Sequence, residues 1–474
     1  MTLRSLLLAG ASLALVLPAA AQDAPAASAD EGSPLADQAL GRSFTVRAED
    51  LPPPDASAAV RNPALTVERG DAMPVAPDGF TVTLFAELDG PRQMLVLKEG
   101  GVLVAQQQAG TVMYLGDEDG DGVAETVSHF AQNFEQPYGL ARLPESSEHA
   151  GDILVADVRG IWRVPYEGGI RAGGTLMHGT VPKDQASEDQ MAPQQPMDHV
   201  AVTEEGVFGS SDGHSTRSLA IDPETGALMV GVGSAGNISV EQEPRATVQM
   251  FAADGANQRT YATGTRNPIG VGFHPDTGEF WAIVQERDGF GNELVPDYFA
   301  QIEEGDFYGW PYSYTGSNPQ PDFAERAPDG LVESAKVGDV LFEAHSSAMD
   351  YVFYTGDAFP EEYRGDAFVA LKGSWNRADP TGYKVVRIPF EDGMPVDGSY
   401  SNFLAGFWVS GDDRAEVWGR PADVAMTTDG GLLVADDTGG TIWKVSYTGG
   451  IEGEPAADVP LPVSDEEQTE EPAN

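Results

Sequence analysis

The stretch LLVADDTGGTIWKV, Leu432 to Val445, reads as an apolar strand, an Asp- and Gly-rich turn, and a second apolar strand. The same order recurs upstream. Val102–Ala105 is followed by Thr111–Leu115, Ile153–Ala156 by Ile161–Val164, and Ala227–Val230 by Val248–Phe251. Phe280–Val284 is a fourth copy, and Ala367–Leu371 with Tyr383–Ile388 a fifth. Six copies at irregular spacing do not suit a short-period solenoid. They predict an all-β fold, a six-bladed β-propeller of four-stranded antiparallel blades around a central channel. A two-domain all-β sandwich is the alternative use of the same strands. With 55 Gly, 34 Pro and few long amphipathic patterns, a helical or doubly wound protein is disfavoured.

The ends read differently. Arg4 precedes an apolar run, Leu6 to Leu17, that closes on Pro18 and Ala19-Ala20-Ala21. This is the pattern of a secretory signal, residues 1–21, and the run is too short to span a bilayer. Residues 22–75, rich in Ala, Pro, Asp and Ser, predict a flexible leader and an extended arm. The propeller body is expected over 76–450, and 451–474 form an acidic, Pro-rich disordered tail. The expected location is across the inner membrane, in the periplasm, with no stable membrane insertion.

The charge balance, 27 Lys and Arg against 75 Asp and Glu, gives −48 and argues against nucleic acid or anionic membrane partners. With no Cys there is no disulfide, and covalent c-type haem attachment is excluded. Basic residues are scarce, so those beside repeated strands stand out. Arg266-Asn267 precedes an apolar strand, Gln285-Glu286-Arg287-Asp288 follows the next, and Tyr308-Gly309-Trp310-Pro311 closes the stretch. An ordinary polar loop with a structural Trp corner is the plain alternative. His214, Lys372, Arg420 and Asp437 lie in loops around the third, fifth and sixth copies, where a propeller would bring them to one end.

GHSTRSLAIDP at 213–223, GTRNPIG at 264–270 with YGWP, VALKGSWNR at 369–377, WGRPADV at 418–424 and ADDTGG at 435–440 together resemble the soluble aldose and sorbosone dehydrogenases that use pyrroloquinoline quinone. The resemblance runs in order from about Pro77 to Tyr447. It implies a six-bladed propeller with His214 as catalytic base and Arg266 and Asn267 at the quinone oxygens. Lys372, Arg420 and Asp437 would grip the cofactor's carboxylates and ring. Gln285 falls at a cofactor-side position, and the backbone carbonyls of Glu286 and Arg287 at the calcium side. Asp297 matches an acidic residue near that loop, and Gln136 is a further cofactor candidate. The residue types suit the chemistry. A tricarboxylate needs local cations, and removal of a hydroxyl proton needs a neutral imidazole.

The 285–288 loop is more charged than its counterpart in the soluble glucose enzymes and, with GSWNR, looks closer to the sorbosone branch. His345 could face substrate or simply pack in its loop. Asp117, Asp119 and Asp121, with Glu125 nearby, resemble the opening of a calcium loop, but the twelfth position is Ser128, so an EF-hand is excluded. A structural calcium turn or an acidic hairpin tip remain. The implied activity is oxidation of an aldose or sugar aldehyde, with electrons passed to an external cytochrome or quinone. A metal-dependent lactonase-like hydrolase and a non-catalytic ligand-binding propeller are the alternatives.

Overall fold

The computed structural model describes residues 34–166 and 199–449. The segments read as a secretory signal, the start of a leader and an acidic tail lie outside the described residues. The described residues are all-β, with only short 3-10 turns, and most of their strands form small antiparallel sheets in chain order. The first sheet holds Met94–Val96, Val102–Gln106, Thr111–Gly116 and Thr126–Gln132; the second holds Gly139–Arg142, Ile153–Ala156, Ile161–Val164 and Val200–Ala201. Leu219–Ile221, Leu228–Val232, Thr247–Phe251 and Arg259–Thr263 make the third. Asn267–Phe273, Phe280–Gln285, Tyr298–Gln301 and Val340–Leu341 make the fourth. The fifth runs Ala348–Phe353, Ala367–Leu371, Lys384–Ile388 and Ser399–Leu404, with Ser43–Thr45 added at its edge. In the sixth, Pro421–Met426, Leu432–Asp436 and Thr441–Tyr447 are completed by Phe80–Glu87 from the other end of the body.

Each repeated sequence pair is the second and third strand of one sheet. The fourth copy shows no second strand in sequence because a loop over 286–297 separates Phe280–Gln285 from its partner Tyr298–Gln301. First strands touch in succession around the molecule, and Pro421–Met426 in turn touches Met94–Val96. Apolar clusters fill the spaces between neighbouring sheets. Leu103, Val112 and Phe130 of the first sheet pack with Leu140, Ile153 and Trp162 of the second; Phe85, Leu433 and Ile442 of the sixth pack with Val104 and Leu115 of the first. Sheets covered on both faces need no polar alternation, so Val102–Gln106 and Leu432–Asp436 are buried throughout.

From Pro34 onward, the segment read as leader and arm is tied to the sheets. Ser43–Thr45 pairs with Ser399–Ser401, Leu65–Thr66 runs parallel to Glu416–Val417, and Val75 bridges Ala405. Buried Lys384 donates to Asp37 at 2.9 Å. A Pro- and Ala-rich segment has little to bury, but its backbone groups can complete sheet edges. Among the described residues no helix is long and apolar enough to cross a membrane.

Candidate active site

The residues that precede first strands converge at one end of the sheets. His214 stands in the loop before Leu219–Ile221, and its Nδ1 lies 2.9 Å from the Ser234 carbonyl and 3.0 Å from the Ser234 hydroxyl. A carbonyl only accepts, so Nδ1 carries the proton and the Nε2 lone pair is left available. Burial and the Arg266 guanidinium push His214 down to about 3, against the Ser234 hydrogen bond. Gly233 makes this approach possible, because a Cβ there would meet Asn267 Oδ1 at 2.3 Å and His214 Cβ at 2.6 Å.

Arg266 is held from two sides. Its Nε donates to the Asn237 carbonyl at 3.0 Å and Nη2 to Asn237 Oδ1 at 3.1 Å, while Nη1 donates to the carbonyls of Glu286 at 2.8 Å and Gln285 at 3.4 Å. Four of its five N–H groups are thereby used. Trp310, from the Tyr308–Pro311 turn, donates to the same Asn237 carbonyl at 3.1 Å, which gives the Trp corner its structural task. Asn267 Nδ2 donates to Gln285 Oε1 at 2.9 Å, and Gln285 Nε2 to Ser347 Oγ at 3.0 Å. Asn267 Oδ1 is buried without a hydrogen-bond partner in the structure.

The amide of Lys372 donates to the Ser347 carbonyl at 2.9 Å, joining this group to a cationic cluster. Lys372 Nζ and Arg92 Nη1 both donate to Asp437 Oδ2, the latter at 2.5 Å. Arg420 donates through Nε to the Lys372 carbonyl at 2.9 Å and through Nη2 to the Gly373 carbonyl at 2.6 Å. Burial and the adjacent Arg92 charge push Lys372 down to about 8, against the pull of Asp437. Burial alone would raise Asp437; Lys372 and Arg92 hold it below the usual carboxylate range. Three cations around one such carboxylate make a place for an anion.

Arg92 was not among the residues singled out from sequence. The signal was present: Arg217, Arg266 and Arg420 each precede the first strand of a sheet, and Arg92 holds the same place before Met94–Val96. Other candidates are placed differently. Asp297 accepts from the amides of Glu286 at 2.9 Å and Ala348 at 3.1 Å, and burial lifts it to about 6. His345 donates through Nε2 to the Gly291 carbonyl at 2.9 Å and accepts at Nδ1 from Asn376 at 3.2 Å. Both residues are buried and brace loops. Gln136, partly buried with φ 55°, has no hydrogen bond to the others. Asp117, Asp119, Asp121 and Glu125 sit on the hairpin between the third and fourth strands of the first sheet, with oxygens within 4.8 Å of one another and Lys444 Nζ 3.7 Å from Asp117. That group is joined to none of the residues above.

Residues 244–375, which hold Arg266, Asn267, Gln285 and Lys372, match the glucose/sorbosone dehydrogenase family model. This segment is a glucose/sorbosone dehydrogenase domain. Residues 331–448 match a TrAA12-like model, which carries the likeness through Arg420 and Asp437. An uncharacterised protein of Borreliella burgdorferi is 31% identical over 241 residues, covering 50% of this chain and 62% of that protein. The pyrroloquinoline quinone-dependent pyranose dehydrogenase of Coprinopsis cinerea is 25% identical over 299 residues, covering 50% and 40%. The chain thus spans less than two thirds of either relative's length. In fold, the chain is similar to the Trichoderma reesei family AA12 enzyme, with TM-score 0.62, 20% identity and coverage of 82% and 98%. The quinone domain of the Coprinopsis pyranose dehydrogenase gives 0.61, 20%, 79% and 97%. The chain is related to quinone-dependent sugar dehydrogenases.

Proposed function

We propose that this protein is an exported, periplasmic quinoprotein dehydrogenase built on a closed six-bladed β-propeller. It oxidises aldoses or sorbosone-like sugar aldehydes to the lactone or acid, and an external cytochrome or quinone takes the electrons. Six consecutive sheets of four strands, the fifth widened by Ser43–Thr45, whose first strands touch in a circle, support the closed propeller. The observation that carries the function is the cluster of Arg92, Lys372 and Arg420 around Asp437, linked through Ser347 and Gln285 to Asn267 beside His214.

These residues fit pyrroloquinoline quinone. The three cations suit its carboxylates, and the orphaned, buried Asn267 Oδ1 marks a polar position that the chain itself leaves unpaired. When bound, the quinone supplies the two-electron acceptor for the hydride that leaves the sugar carbon. His214 then does the proton work: Nε2 takes the hydroxyl proton of that carbon while the Ser234 carbonyl holds the Nδ1–H and the ring's orientation. Arg266, fixed by Asn237 and the 285–286 carbonyls, keeps one N–H for an oxygen that gains negative charge. Calcium fits less well, because the Glu286 carbonyl already accepts from the Arg266 cation. No step is assigned to it. The purified protein, reconstituted with the quinone with and without calcium, should show sugar-dependent reduction of the bound quinone in its absorption spectrum. A spectrum unmoved by any aldose or sugar aldehyde would overturn the dehydrogenase reading.

A further inference from the structure

Six of the seven tryptophans are at most 7% exposed, whereas Trp375 is 41% exposed. An isolated apolar residue on a surface is ordinary, but this one is held in place and stands beside the site. It lies three residues after Lys372, and its carbonyl accepts from the Asn62 amide at 2.7 Å. Asn62 Nδ2 reaches the Arg377 carbonyl at 3.0 Å, and the Arg61 guanidinium stands 5.9 Å from the indole centroid. The arm therefore fixes the loop that carries the ring. The next residue, Asn376, donates to Asp288 Oδ1 at 2.6 Å, and the Asp288 amide donates to Asn237, the residue that clamps Arg266. Trp375 is thus exposed on the loop that joins the candidate site to the arm.

We infer that Trp375 is a stacking platform for a pyranose ring next to the one oxidised at His214, so that the enzyme accepts neutral reducing saccharides of two or more rings. This rests on the dehydrogenase reading. An indole offers a rigid, electron-rich face to the C–H face of a sugar ring, and water leaves both surfaces when they meet. The surrounding charge selects among sugars. Exposed Asp55, Glu293 and Asp379 belong to the same group of loops: Asp55 N donates to the Phe290 carbonyl, Arg377 pairs with Glu293, and Asn292 donates to Asp379. Carboxylates accept hydrogen bonds from sugar hydroxyls and repel uronates.

The test uses the full-length, quinone-loaded protein with glucose, cellobiose and glucuronate. Trp375→Ala should raise KM for cellobiose about fivefold to tenfold, leaving kcat and the KM for glucose within about twofold, and Trp375→Phe should restore most of the loss. In quinone-free protein, cellobiose should shield tryptophan fluorescence from acrylamide in the wild type and not in Trp375→Ala, and glucuronate should shield neither. Equal KM changes for glucose and cellobiose, or none, would overturn the platform. Shielding that persists in a protein which oxidises no sugar would sustain the platform and remove the dehydrogenase reading. Normal turnover without shielding would do the reverse.

Discussion

His214 combines one committed nitrogen with one open nitrogen, and its neutrality follows from burial beside Arg266. With the imidazole pushed down to about 3, the base form persists through the mildly acidic range. The acid limb of kcat/KM for sugar oxidation should therefore fall well below pH 6.5, the value of an unperturbed histidine. A limb centred at 6.5 would place a different base in the reaction. His214→Ala should lower kcat by about 10²–10⁴-fold with quinone binding retained in equilibrium titration. Arg92→Ala should do the opposite: it removes one of the two donors on Asp437 Oδ2, and quinone affinity should drop by about tenfold or more while the kcat of the loaded fraction changes little. Arg266, Lys372, Arg420 and Asp437 could be singled out in sequence because each sits where a strand meets its loop, and His214 because it lies in the loop that feeds one. Arg92 was less visible, since the strand after it has only three residues. The pairing of Asp288 with Asn376 was invisible, being set by the meeting of two distant loops.

The innermost strands of the fifth and sixth sheets bring together two buried acids, Asp350 and Asp423. Asp350 accepts from Gln93 at 3.1 Å and Asp423 from the Met94 amide at 2.6 Å, and the two carboxyls bond each other. Burial lifts Asp350 to about 7 and raises Asp423 well above the ordinary range, so the pair retains a proton. Folded pKa values above unfolded ones mean that the folded state holds more protons between about pH 4 and 7. Stability is then greatest below about pH 4 on this account and declines as pH rises through 7. Asp423→Asn can still accept from the Met94 amide and can donate to an ionised Asp350. Its melting temperature should therefore vary less between pH 5 and 8 than that of the wild type, and parallel melting curves would show that the pair does not control this slope. At this scale the repeated apolar pairs were legible as strands. The second strand of the fourth copy was not, because the 286–297 loop interrupts the local pattern that marks the other five.

Across the whole molecule, the sheet composed from both ends of the body decides cooperativity. Phe80–Glu87 pairs only with Thr441–Tyr447 in the sixth sheet, and buried Trp443 and Ile442 stand at that seam. A chain ending at Gly440 leaves Phe80–Glu87 unpaired and opens the cluster of Phe85, Leu88 and Ile442. It should lose its cooperative thermal transition, measured by circular dichroism, and not merely shift it by a few degrees. A sharp melt in the shortened chain would mean that the seam is dispensable. The paired strands could be read from the repeated copies, but the partner of Phe80–Glu87 could not, since nothing local to residues 80–87 specifies a strand at the far end of the sequence. The same seam imposes an order in time. As the chain is synthesised at about 5–20 residues per second, the segment around Phe80 must wait roughly tens of seconds for Thr441–Tyr447. For that interval its edge is unsatisfied, and the sixth sheet can be completed only after the rest of the body has been made.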